Sequence, residues 1–408
     1  MDSRLVVPLA AAGLATSAIL VATLIPVHNL ASASHEPRVA GAPFQLADFA
    51  RNIVLFAPLG ASLACNRLSV LRALLLAAAL SAGIELAQGA LPIAGRDASV
   101  SDWVANVAGT GLAIALCRTA RTWLRPAPRT VRRLALLAGA AAAACLVGTG
   151  VLLTPDPTDA IYFGHHTPSS LAYLAPYDGT VLDASIDEVK IPYGWLPSSE
   201  RIRNRLRGDY TLRVNALSGA PPTDLAALLL VTDYDNNEIL LLGPDGDDLV
   251  YRFRTRADSL GLQPATVRLR RALAQIAPGS ALELRVERSA ADLCIAVDRD
   301  RNCGYGFTVG DGWQLFTPDD RIAGIARWPF ASAWLALLFL PLGYWGRRDG
   351  ASLAAGGIAA AALLLAPFVT PLRPTPVSQV ASAGCGAALG LAARRRFAAL
   401  PAHAERGD

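Results

Sequence analysis

The stretch that decides the fold runs from Asp48 to Gly111. It reads DFARNIVLFAPLGASLAC over 48–65, ALLLAAALSAGIELAQGAL over 73–91 and RDASVSDWVANVAGTG over 96–111. Each segment is rich in apolar residues, yet each carries groups that a bilayer disfavours, and these fall at helical intervals. Asp48 and Asn52 are four residues apart, as are Ser81 and Glu85, and Asp102 and Asn106; Glu85 and Gln88 are three apart. Side chains at such spacing share one helix face. A carboxylate at a bilayer centre costs roughly 2.5–3.5 kcal/mol on insertion scales, so several in one bundle require a shared polar cavity or an interfacial position.

The rest of the chain supports a membrane setting. It has 408 residues, of which 53% are hydrophobic and 17% charged, with a mean hydropathy of +0.36. Such a chain is expected to be an integral membrane protein. The formal charge of +4 comes mostly from short arginine blocks, which speak to topology; no basic stripe suggests a nucleic-acid partner.

Eight spans are predicted: Leu5 to Val27, Phe49 to Cys65, Ala73 to Leu91, Trp103 to Cys117, Leu134 to Leu153, Trp328 to Trp345, Ala351 to Thr370 and Val377 to Ala393. The first reads as an uncleaved anchor, because its apolar run is long for a signal peptide despite the Ala31-Ser32-Ala33 triplet. With both termini cytoplasmic, Arg67 and Arg72, the block from Arg118 to Arg133, Arg347 and Arg348, and Arg394 to Arg396 all fall inside. Short outer segments keep Arg38, Arg51, Arg96 and Arg373. This orientation gathers Asp48, Asn52, Glu85, Gln88, Arg96, Asp102 and Asn106 on the outer side.

Between Thr154 and Arg327 the pattern changes. Tyr210 to Leu217 and Ala281 to Arg288 alternate with period two, and Ala226 to Val231, Glu238 to Leu242 and Asp248 to Arg254 are strand-like runs between turns. These predict an outward-facing antiparallel β-sandwich. Cys294 and Cys303 flank a hairpin with Asp298 to Asn302 as its turn, and a disulfide is expected there. Asp233, Asp235, Asn237 and Glu238 are weak candidates for calcium, against a solvated turn; His165 and His166 are expected in an exposed loop.

The chain thus divides into a first helix and outer loop (1–47), a helical core (48–117), a basic cytoplasmic loop and fifth helix (118–153), the sandwich (154–327), three C-terminal helices (328–396) and a cytoplasmic tail (397–408). The last three helices read as a degenerate copy of the core. Leu338 to Gly343 echoes Leu55 to Gly60, while Arg373, Val377, Ser378 and Gly386 repeat the spacing of Arg96, Val100, Ser101 and Gly109. In this register Asp48 aligns with Ala331, Asn52 with Leu335, Asp102 with Gln379 and Asn106 with Ala383.

The ordered pattern Asp48-x3-Asn52-Ile-x2-Phe56-x-Pro58-Leu59-Gly60, Ser81-x3-Glu85-x2-Gln88 and Arg96-x5-Asp102-x3-Asn106-x2-Gly109-x-Gly111 resembles the VanZ-like family. The resemblance implies a polytopic protein of the bacterial inner membrane, and its name-giving members are linked to low-level resistance to the glycopeptide teicoplanin. Leu229 to Val231, Asn237 to Leu242 and Gly246 to Arg254 resemble the concanavalin or laminin-G type of jelly-roll sandwich.

Three functions follow as expectations. In the first, the outer cavity binds the headgroup of a lipid-linked cell-wall precursor or glycan, with Arg96 and Arg51 clamping a phosphate and Asn52, Gln88 and Asn106 as neutral donors. In the second, a membrane enzyme acts on such a lipid, with Glu85 as general base and Asp48 and Asp102 holding a divalent cation. In the third, the sandwich binds a carbohydrate or protein and the helices are a scaffold, Asp48, Asn52, Asp102 and Asn106 serving as caps and interhelical bonds and Glu85 pairing with Arg51 or Arg96.

Overall fold

A computed structural model describes residues 3–24, 45–66, 68–90, 99–168, 174–317 and 320–399, in two compact units, 1–131 and 132–408. Arg38, Arg67 and Arg96 lie outside the described residues.

The first unit contains α1 (Ser3–Leu24), α2 (Leu46–Cys65), α3 (Val70–Ala90), α4 (Val100–Arg118) and the short α5 (Ala120–Leu124). Their leucine and alanine content favours helix. Phe56, Ile114, Ile84, Ala77 and Ile19 form the buried core, to which α1 contributes beside the expected three-helix core. Helices α2 and α4 run parallel and meet through glycine. A Cβ on Gly109 would collide with the Ile53 backbone, and one on Gly60 with the Thr110 backbone. Small residues at such crossings let helix backbones approach closely without a hydrophobic driving force.

The second unit begins in α6 (Pro128–Leu152), enters a β domain and returns to α9 (Asp320–Trp345), α10 (Gly350–Val369) and α11 (Val377–Ala399). Asp349 caps α10 by accepting from the Ser352 N–H. Helices α9 and α11 meet as α2 and α4 do: Gly386 lies against the Ala336 backbone and Gly343 against that of Ala387. When Gly60 is aligned with Gly343, Ile53 falls on Ala336; when Gly109 is aligned with Gly386, Thr110 falls on Ala387. The two crossings therefore use equivalent positions.

Among the described residues, six helices are long and apolar enough to cross a membrane: α2, α3, α4, α6, the Ala326–Trp345 part of α9, and α10. The other two of the eight predicted spans are also helical, but the apolar part of α1 is shorter, Ala10–Leu24. Helix α11 is diluted by Gln379, several glycines and Arg394 to Arg396.

The β domain holds β1 (Tyr162–His166), β2 (Thr180–Ile186), β3 (Val189–Lys190), β4 (Gly194–Leu196), helix α7 (Ser199–Leu206), β5 (Tyr210–Leu217), β6 (Leu229–Asp233), β7 (Glu238–Asp245), β8 (Asp248–Phe253), helix α8 (Arg256–Ser259), β9 (Ala265–Leu269), β10 (Ala281–Ser289), β11 (Asp292–Val297) and β12 (Asp300–Cys303). Two six-stranded antiparallel sheets result, in the orders β4-β1-β6-β7-β8-β9 and β12-β11-β10-β5-β2-β3. They are joined through the core by a hydrogen bond between the buried Tyr210 and Tyr251 hydroxyls, and by Arg288 over the Phe253 ring.

Several local expectations change. The histidines belong to β1, where both are half-buried; His165 Nε2 meets Thr232 Oγ1 and His166 Nε2 meets the Ile191 carbonyl. Burial, reinforced by the neighbouring His166, lowers the pKa of His165. The hairpin after β11 turns in two residues, Asp298 and Arg299, with Asp298 at φ 54°, so residues 300–302 are strand. Strand β7 extends beyond Leu242 to include Pro244 and Asp245, and its hairpin to β8 turns at Gly246-Asp247.

Residues 304–317 fasten the β domain to the helices of its own unit. In the 3-10 helix Val309–Phe316, the Asp311 carboxylate is buried and receives donors from the Thr308 N–H and hydroxyl, the Gln314 amide, and Arg327 through both Nε and Nη2. Gln379 Nε2 donates to the Thr308 hydroxyl, and Arg373 donates to the Gly304 carbonyl and pairs with Asp292. The Trp313 and Phe330 rings stack beside this contact.

Candidate functional site

The polar residues of the first unit lie where the N-terminal ends of α2 and α4 meet the C-terminal end of α3. Asp48 and Asp102 occupy the first turns of α2 and α4, where a carboxylate is favoured by the helix dipole. Asp48 forms an ion pair with Arg51 on its own helix, and Asn52 is half-buried one turn further on.

Helices α3 and α4 present two polar pairs to each other, one turn apart. In the inner pair, Asn106 Nδ2 donates to Ser81 Oγ at 3.0 Å; both residues are buried, and Asn106 Oδ1 has no hydrogen-bond partner. Whichever way the amide is turned, one of its polar atoms is left over. In the outer pair, Glu85 Oε2 accepts from the Ser99 N–H at 2.6 Å, and the Asp102 carboxylate is close enough to act on its charge. Glu85 thus supplies an acceptor to the start of α4, whose N-cap Ser99 makes no side-chain cap bond. Trp103 Nε1 donates to the Ala78 carbonyl and ties α4 to α3.

The structure separates one expected member from this group. Gln88 is buried and its amide donates to the Thr23 carbonyl of α1, so it joins α3 to α1. Thr23 and Ser99 were not anticipated, since both supply backbone groups that carry no sequence signal.

In the β domain, Cys294 and Cys303 face each other in the hairpin register and are disulfide-bonded. The turn after Asp233 is solvated as expected, with Tyr234, Asp235 and Asn236 exposed, while Asp233 itself is buried and its carboxylate accepts from the N–H groups of Asp235 and Asn237, the Asn237 amide and the Thr158 hydroxyl. Burial alone would raise its pKa, but these donors outweigh burial and lower it. Asp235 is exposed. Among the described residues there is no group of three or more His, Cys, Asp or Glu able to hold a metal ion.

The order and spacing of these helices agree with an independent comparison. Residues 8–121 match the family model described as VanZ/LLP1. The N-terminal segment is VanZ-like. The match takes in α1, consistent with the bond from Gln88 to Thr23, and it stops before the β domain. No curated protein and no solved structure matches the chain. The two-sheet β domain follows a membrane segment of known family type.

Proposed function

We propose that the protein resides in the bacterial cytoplasmic membrane and binds the headgroup of a lipid-linked or glycan envelope component at the polar end of α3 and α4. The observation that carries this reading is the pairing of Glu85 with Asp102 above the Ser81–Asn106 bond. Asp233 and Asp311, the structural carboxylates of the β domain, are each enclosed by several donors. The VanZ-like end sets Glu85, which accepts from the Ser99 N–H and feels the charge of Asp102, above the buried Asn106 amide with its unmatched Oδ1, where a membrane makes polar groups costly to retain. On sequence grounds Arg96 adds a guanidinium suited to a phosphate.

Topology supports an outward site. In the second unit, Arg132 and Arg133 lie at the start of α6, Arg347 and Arg348 follow α9, and Arg394 to Arg396 lie at the end of α11. The β domain is attached at the opposite ends of α6 and α9. The positive-inside rule places the arginines in the cytoplasm and the β domain outside, where an oxidising compartment suits the Cys294–Cys303 bond.

Native mass spectrometry of the detergent-solubilised protein tests the reading. A co-purifying prenyl phosphate or lipid-linked sugar, lost in Arg96→Ala and Glu85→Gln, is the expected result. Bare protein in every sample, or equal retention by the variants, refutes it. Altered susceptibility to teicoplanin-type glycopeptides in a deletion strain would extend the family's phenotype to this chain.

A further inference from the structure

We infer that the exposed side of α8 is a lipid-contacting surface, where Arg256 meets a phospholipid phosphate and Leu260 enters the boundary between headgroups and acyl chains. The β domain is thereby seated on the leaflet at the ends of α6 and α9 to which it is attached. This surface is separate from the headgroup site at α3 and α4 and does not depend on it.

Contacts on both sides place α8 at the membrane boundary. Thr149, in the last turn of the α6 span, lies against the 3-10 helix Val309–Phe316: a Cβ on Gly312 would collide with its hydroxyl. Trp313 of the same 3-10 helix stacks on Phe330, which belongs to the Ala326–Trp345 span. The 3-10 helix therefore stands level with the β-domain ends of both spans. The segment carrying α8 is bonded to these same places. The Arg256 N–H donates to the Thr154 carbonyl, just beyond α6, and the Gln263 N–H donates to the Leu315 carbonyl of the 3-10 helix. Residues 256–263 are thus held between the end of α6 and that helix.

The two sides of α8 differ. Ala257 and Leu262 are buried in the β domain, while Arg256, Ser259 and Leu260 are exposed, Leu260 at 47%. Arg256 and Leu260 are four residues apart and so stand on one side of the turn. An arginine beside a leucine suits a bilayer interface, since the guanidinium pairs with a phosphate while the leucine reaches below it. Helix α9 extends the surface with Trp328, exposed at the β-domain end of its span, where an indole is favoured at headgroup level. A single exposed leucine is ordinary on a soluble surface. Leu182 is such a residue: it is 60% exposed on β2, next to β3 at the sheet edge opposite β12, and Arg373 holds Gly304 just beyond β12. Leu260 differs from it by its place at the ends of the spans.

The test is hydroxyl-radical footprinting of the wild-type full chain in nanodiscs of phosphatidylethanolamine and phosphatidylglycerol, one copy per disc, comparing Leu260 with Leu182. If both face water, their similar exposure gives similar oxidation. Leu260 is expected to be oxidised about tenfold less, because the acyl boundary excludes water. Comparable oxidation of the two leucines overturns the inference, and this comparison needs no variant to fold. A photoreactive phenylalanine at position 260 is then expected to yield a phospholipid adduct by mass spectrometry, and the same probe at position 182 none. Protection of Leu260 without a lipid adduct would mean that protein covers it, and overturns the lipid assignment. Arg256→Gln is expected to raise oxidation of Leu260 about fivefold, the contribution of one arginine near an anionic lipid surface. Unchanged protection in that variant overturns the phosphate contact.

Discussion

Helices α2, α3 and α4 and helices α9, α10 and α11 use the same glycine-lined crossing for different ends. In the first set the positions beside the crossing are Asp48, Asn52, Asp102 and Asn106; in the second they are Ala331, Leu335, Gln379 and Ala383, all buried. The first set ends in acids, whereas the second is built against the 3-10 helix of its own β domain. The second set thus packs its equivalent positions within its own unit, with Gln379 donating to Thr308 of that 3-10 segment. The difference teaches that the crossing is the part needed to fold, and that the polar positions are free to be specialised.

The sharpest test of that comparison is to disrupt both crossings. Gly109→Val and Gly386→Val each place a branched side chain against a backbone that has no room for it. Each is expected to prevent recovery of folded protein in detergent, since overpacking that typically costs about 1–3 kcal/mol costs more when a helix backbone must move. Size-exclusion profiles would show aggregation for both. A large effect at one glycine and none at the other would break the equivalence.

The next effect belongs to the second set alone. Arg327→Met leaves the buried Asp311 carboxylate without its cation, which should cost roughly 3 kcal/mol by analogy with broken buried pairs. Limited proteolysis should then release the β domain more readily, with no change in the VanZ-like segment. The pH dependence has a defined sign. Burial raises the pKa of Asp311, but Arg327 and the Thr308 bonds outweigh it, and the net folded-state pKa is lowered. Its stabilisation is therefore present at neutral pH, above the unfolded value, and is lost as pH falls through the lowered folded value. Thermal unfolding of the wild type should show this acid loss, and Arg327→Met should flatten it. Stability that is independent of pH in both proteins would remove Asp311 as the anchor.

How much of this was legible in sequence follows from the range of each interaction. The helices were visible because a span needs a long apolar run, and β5 and β10 because their faces alternate between core and solvent. The paired glycines could be aligned because Leu55 to Gly60 recurs as Leu338 to Gly343, and the spacing from Arg96 to Gly109 recurs from Arg373 to Gly386. The site was legible only as residue types on faces. The acceptor role of Glu85 toward Ser99 and the turning of Gln88 to Thr23 depend on backbone groups, which every residue carries alike. The histidines were misplaced because β1 is short and neither ring's partner is local in sequence. Thr308-x2-Asp311 did carry a signal, a capping box, but its link to Arg327 required the fold.

A smaller effect should separate the two sets by exchange. Leu335 is fully buried, so Leu335→Asn introduces an amide without partners and is expected to cost about 2 kcal/mol. Asn52 is only half-buried, and Asn52→Leu should change stability by less than about 1 kcal/mol. Chemical denaturation of both variants measures the asymmetry, and equal costs would mean that the first set needs its polar residues for folding.

The smallest effect is expected at Asp48. Its partner Arg51 is a third exposed and on the same helix, and such pairs contribute about 0–1 kcal/mol. Asp48→Asn keeps the shape, removes the charge and loses the favourable term at the helix start, which is itself a few tenths of a kcal/mol. A thermal midpoint near that of the wild type is therefore expected, together with unchanged lipid retention if the Glu85–Asp102 pairing carries binding. Should lipid be lost while the midpoint holds, the site would have to include the start of α2 as well. The headgroup would then touch all three helices of the first set, at the positions where the second set carries Ala331 and Leu335.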